Sequence, residues 1–171
     1  QIKTFLDKHL PSEDALQAAD EAGDAKALLA AGDTQAALNK LADALHTDPA
    51  NDDVRFELVR LLIECNLLAE AKETLAPALA AIPRQIRFEA LQQYLMAVEF
   101  VIADPRGAWE PAQFDALIAA NKRDFDARLA KARVLMVDGA WTVAMDELLE
   151  IIMRDKAWGD GAPRKTMVAI L

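Results

Sequence analysis

The chain has 171 residues, 28 acidic against 19 basic side chains for a net charge of −9, and only 6% aromatics. A field of that sign repels nucleic acid and anionic lipid, and a single cysteine excludes an internal disulfide, a CxxC redox pair or a thiolate zinc site. Alanine supplies 35 residues and glycine 6, a helix-forming composition with length for one domain or about four helical hairpins.

Residues 1–11 precede the first clear helical pattern, and a start at Gln1 rather than Met suggests a piece of a longer protein. The first hairpin is predicted over residues 14–47, opened by Glu13 and Asp14, whose charges suit a helix N-terminus. Gly32-Asp33 supplies its turn, followed by Ala37, Ala44 and Pro49. A second hairpin is predicted over 52–81, opened by Asp52 and Asp53; 34 residues after Gly32, Asn66 is followed by Ala71, Ala78 and Pro83 at the same offsets. Each position has a physical role: Gly or Asn accepts the left-handed conformation that closes a helix, alanine lets two helices approach, and proline stops the second helix.

The third unit is irregular: a long helix from about Arg84 to Ala103, a turn at residues 104–107 and a shorter helix from about Pro111 to Asn121. A fourth hairpin over 125–154 restores the register through Gly139, Ala144 and Ile151, with Lys156 where the proline would stand. After Gly159-Asp160-Gly161, a last helix is expected to start near Pro163. No segment alternates with the period of a strand, and Glu99 interrupts the best apolar run, 94–103, well short of the roughly 18 residues a membrane span needs.

These offsets resemble the tetratricopeptide repeat, over residues 14–156. The resemblance implies an all-α, right-handed superhelix of about four helical hairpins with a C-terminal capping helix. Its first helices are expected to line a concave groove. The ninth positions there are Lys26, Arg60 and Arg133, the twelfth are Leu29, Ile63 and Met136, and the fifth include Phe56 and Leu129. Such a groove suits an acidic or amphipathic segment, set against the plainer possibility that Glu57 and Glu64 pair with Arg60 as on any solvated face. The carboxylate clamp of repeat proteins that bind chaperone tails is not reproduced, its positions holding Ala22, Lys26 and Glu57. The rival surface is the C-terminal segment, where Trp158, Arg164, Met167 and Ile170 cap the stack or dock on a partner.

The runs 121–130, 146–152 and 154–165 resemble the C-terminal part of the YbbN, or chaperedoxin, family of thioredoxin-like co-chaperones. Residues 2–11 are similar to the last helix of the thioredoxin domain that precedes the repeats in that family, so 1–11 reads as a remnant and linker and 12–171 as the repeat domain. The resemblance implies a bacterial cytoplasmic protein that binds unfolded clients and chaperonin or Hsp70-type chaperones. A generic scaffold recruiting one folded partner is the alternative.

Neither reading calls for a cofactor or metal, since the two histidines, His9 and His46, stand far apart in the sequence. Cys65, among Leu61, Leu62, Leu67 and Leu68, is expected to be a buried structural thiol. One cysteine cannot both attack and resolve a mixed disulfide. The chain is therefore expected to be inactive in an insulin-reduction assay, and turnover lost in Cys65→Ser would contradict this.

Overall fold

The computed structural model describes residues 12–171; the expectations for residues 1–11, His9 among them, lie outside the described residues. The described residues form α-helices and one 3-10 turn, with no strand, as the repeat pattern predicts. They divide into two compact units, one ending at Ala80 and the other beginning at Ala81.

The first unit contains α1 (Glu13–Ala30), α2 (Thr34–Thr47), α3 (Asp52–Glu64) and α4 (Leu68–Ala80), each packed on the next. The second contains α5 (Ile86–Ala103), a 3-10 turn (Pro105–Ala108), α6 (Pro111–Ala120), α7 (Phe125–Val137), α8 (Trp141–Arg154) and α9 (Trp158–Met167). There α7 is central, touching α5, α6 and α8, while α9 packs on α8 and α5.

Helix starts follow from local chemistry. Ser12, Asp33, Asn51 and Asp124 each accept a hydrogen bond from the backbone N–H three residues on, at 3.0–3.1 Å. Such caps contribute about 1 kcal/mol each. The helix ends obey one rule three times. Gly32, Asn66 and Gly139 have φ of 83°, 60° and 75°, and the N–H groups of Asp33, Leu67 and Ala140 reach back to the carbonyls of Leu28, Leu62 and Leu135 at 2.8–2.9 Å. This closure satisfies carbonyls that a helix end would otherwise leave open. The alanines five residues beyond each turn, Ala37, Ala71 and Ala144, are wholly buried, where any longer side chain would force the paired helices apart.

Cys65 departs from expectation. It is half-buried rather than enclosed, because as the C-cap of α3 it stands where the chain turns outward into left-handed Asn66. The turn at 159–161 is tighter than expected: Gly159, Asp160 and Gly161 are all left-handed, and regular helix resumes after them.

The sequence pattern did not flag the buried cations. Arg55 and Arg128 hold the same position in their helices, the fourth of α3 and of α7, and both are buried. Arg55 donates to the carbonyls of Thr74 at 2.8 Å and Pro49 at 2.6 Å, tying α3 to α4 and to the preceding loop. Arg128 donates to Glu147 on α8 at 2.7 Å, and buried Lys131 donates to Glu147 at 2.5 Å and to Asp115 on α6 at 2.7 Å. Burial pushes the Lys131 ammonium down, but the hydrogen bonds and charges of Asp115 and Glu147 together outweigh it, so its pKa lies above the ordinary lysine value.

The 3-10 turn is pinned by a second charge cluster. Asp104 accepts from the backbone N–H of Arg106 at 2.9 Å and from its guanidinium at 3.0 and 2.9 Å, while that guanidinium reaches Asp126 on α7 at 2.6 Å. The hydrogen bonds from Arg106 lower the Asp104 carboxyl to about 2, and Asp104, then Asp126, raise the guanidinium above its usual value. Gly107 allows the turn to close, since a Cβ there would lie 2.0 Å from the Val101 carbonyl oxygen.

Two outcomes follow. Glu147→Gln leaves two buried cations undercompensated and should cost roughly 3 kcal/mol in urea denaturation; a loss indistinguishable from that of an exposed carboxylate such as Asp146 would contradict the role assigned to Glu147. In a carboxyl NMR titration of the folded protein, Asp104 should titrate near 2 and move towards 3.8 in Arg106→Ala. Because its folded pKa is depressed, the stability it contributes is present above 3.8 and lost as pH falls through about 2. A midpoint of 3.8 in the parent would remove the Asp104–Arg106 contact from the account.

Candidate functional site

The expected groove residues separate into three groups when their surroundings are read out. Ile63, Leu129 and Met136 are buried, Met136 completely. Met136 packs with Ala97, Leu135 and Ala144, and Leu129 with Phe125, Leu148 and Ile151. These three side chains lie in the core, where the sequence pattern expects them on a groove. Arg60 is exposed but held within its own helix by Glu57 at 3.0 Å and Glu64 at 3.9 Å, an i, i+3 and i, i+4 arrangement of the kind found on solvated faces. Phe56 is half-buried on α3.

Lys26, Leu29 and Arg133 remain, and each borders a hollow. In the first unit Lys26 and Leu29 of α1 face Val54 and Glu57 of α3 across a small, mostly apolar hollow of about 90 Å³. In the second unit Arg133 of α7 borders a larger one of about 450 Å³, with Met96, Phe100 and Ala103 of α5 and Pro105 of the turn. Glu99 and Asp104 line it as well. Met96, 41% exposed, is an apolar side chain available there.

Phe100 carries two guanidiniums, Arg106 at 5.4 Å and Arg133 at 5.5 Å from its ring centre. Their situations differ. Arg106 is neutralised by Asp104 and Asp126. Among the described residues Arg133 forms no hydrogen bond or ion pair, and burial lowers its pKa against the opposing charge of Asp126, with Arg106 lowering it further. A partly desolvated cation stacked on an aromatic ring at the mouth of an apolar hollow is prepared to accept a carboxylate.

At the C-terminal segment, Trp158, Met167 and Ile170 pack against the cluster formed by Phe125, Leu129, Leu148 and Ile151, with Trp158 edge-on to Phe125 at 5.8 Å. Arg164 is exposed. Among the described residues no group of His, Cys, Asp or Glu side chains is placed to hold a metal ion, and no helix is long and apolar enough to cross a membrane.

Comparison with known families agrees with this architecture. Two family models described as tetratricopeptide repeat match the chain, one over residues 28–95 and one over residues 106–171. A tetratricopeptide repeat protein from Parabacteroides merdae, known from a crystal structure, is similar at 14% identity and a TM-score of 0.47 over 90% of this chain. The chain spans 59% of that protein's length. No match is found among curated proteins. The helical hairpins of residues 28–95 and 106–171 are tetratricopeptide repeats.

Proposed function

We propose that the chain is a non-catalytic protein–protein interaction module whose recognition surface includes the Phe100–Arg133 hollow. Arg133 carries the reading: a guanidinium without a carboxylate of its own, held over Phe100 beside Met96, Ala103 and Pro105. An amphipathic segment would place an apolar side chain in the hollow and a carboxylate on Arg133. The apolar contact would supply most of the affinity and the charge would set orientation and association rate. Lys26 beside Leu29 offers a smaller version of the same pairing in the first unit.

The finer reading makes this module part of a bacterial cytoplasmic, thioredoxin-like co-chaperone that engages unfolded clients and chaperonin or Hsp70-type chaperones. It is supported by the resemblance of residues 121–130, 146–152 and 154–165 to the chaperedoxins. A scaffold that recruits one folded partner would use the same hollows and differs only in how many partners it accepts.

The test is capture of a urea-denatured model client and of chaperonin by the double variant Lys26→Gln, Arg133→Gln. Capture should weaken by about threefold to tenfold, more at low salt than at high, with helicity by circular dichroism as in the parent. Undiminished capture of both probes would remove the hollows from the recognition surface. Binding to chaperonin but to no denatured client would favour the single-partner scaffold.

A further inference from the structure

The short regular helix at the C-terminus, residues 162–167, has two faces with different work. Pro163 and Thr166 are buried, and Met167 joins Trp158 and Ile170 on the core of the second unit. The opposite face turns Arg164, Lys165 and Val168 towards the start of α5. There, with Arg84, Glu89 and Gln93, they enclose a hollow of about 350 Å³. Thr166 lies between the two walls: its hydroxyl donates to the Ala162 carbonyl at 2.9 Å, and the Gln93 side-chain amide stands 3.4 Å from the same oxygen.

Charge distinguishes this hollow from the one at Arg133. Lys165 is held by Asp160 at 3.0 Å. Arg84 and Arg164 are both exposed, and among the described residues neither has an ion pair or a hydrogen bond, although the chain carries 28 carboxylates. Two guanidiniums on separate elements, aimed at one cavity, are placed to receive carboxylates by forked hydrogen bonds. Val168 adds an apolar wall. The net charge of −9 disfavours a long uniform polyanion such as RNA, whereas a short segment that alternates carboxylate and apolar side chains matches both the cations and the wall.

We propose that this hollow is a second binding site, which takes an acidic segment of a protein partner with carboxylates on Arg84 and Arg164. The choice of a protein segment as occupant rests on the interaction-module reading; the anion chemistry does not. The C-terminal helix is then both cap and binding surface, one role on each face, and the site exists only while that helix is docked.

The experiment is fluorescence polarisation of a labelled peptide that alternates glutamate and leucine, with a glutamine–leucine peptide as control. The glutamate peptide should bind and the control should not. Arg84→Ala with Arg164→Ala should weaken binding by about tenfold while circular dichroism and melting temperature stay as in the parent, since both side chains are exposed. Glu89→Gln, which removes the carboxylate facing the hollow, should tighten it.

Exposed Lys122 and Lys156 serve as the control for net charge: if their double alanine variant weakens binding as much, attraction is general and the site is refuted. Equal binding by the Arg84, Arg164 double variant also refutes it. Displacement of the peptide by equimolar inorganic phosphate would assign the hollow to a small anion and overturn the peptide proposal. Lys26→Gln with Arg133→Gln should leave this peptide's binding unchanged, so failure at the Phe100 hollow and failure here are read separately.

Discussion

Glu147 stands between Arg128 and Lys131, and in the second unit the orientation of the central helix follows from that placement. A carboxylate on α8 that pairs with two buried cations, while Asp115 adds a third contact from α6, permits little rotation of α7. Desolvated charges are costly when their partners move away, whereas a purely apolar contact tolerates small shifts. With α7 so fixed, Phe125 and Leu129 meet α8, Ala127 and Ala130 meet Phe114 and Ile118, and Arg133 is directed onto Phe100. The hollow beside Phe100 is thus a consequence of an ion cluster elsewhere on the same helix.

The distribution of carboxylates separates structural cations from those open to a partner. Arg60, Arg106, Arg154 and Lys131 all have an acidic side chain within 3.1 Å. Arg133, Arg84 and Arg164 have none among the described residues, and each borders a cavity. An acidic chain can pair its cations readily, so those it leaves unpaired at concave surfaces are the ones an external carboxylate can reach. Exposed intrahelical pairs such as Arg60–Glu57 add little to stability. They do occupy the cation: of the expected ladder of Lys26, Arg60 and Arg133, Arg60 is held by carboxylates of its own helix.

In the C-terminal segment one short helix carries the cap on one face and borders the proposed site with the other. Trp158, Met167 and Ile170 cover the apolar end that a stack of hairpins would otherwise expose, and the same docking carries Arg164 to the start of α5. Capping and binding looked like rivals in the sequence. In space the packed face and the face that borders the hollow are opposite sides of one short helix, so the two readings are compatible.

The sequence by itself determined the helices, their turns and their close contacts, because each depends on residues a few positions apart. Left-handed Gly32, Asn66 and Gly139 and the buried alanines five residues past each turn were legible in a repeat of fixed offset, whereas the caps fall on Ser12 and Asn51, just ahead of the carboxylate pairs the sequence pointed to. The pairing of Arg60 was legible for the same reason, its partners lying one helical turn away. Which side of each first helix stays open was decided only by tertiary structure. Neighbours bury Ile63, Leu129 and Met136, and α7 is enclosed on most of its circumference, so a repeat position that lines a groove in one unit is core in another. The buried positions of Arg55 and Arg128, the partnership of Lys131 with carboxylates sixteen residues away on either side, and the meeting of Arg84 with Arg164 all join distant parts of the chain, and no local spacing encodes which of them will touch.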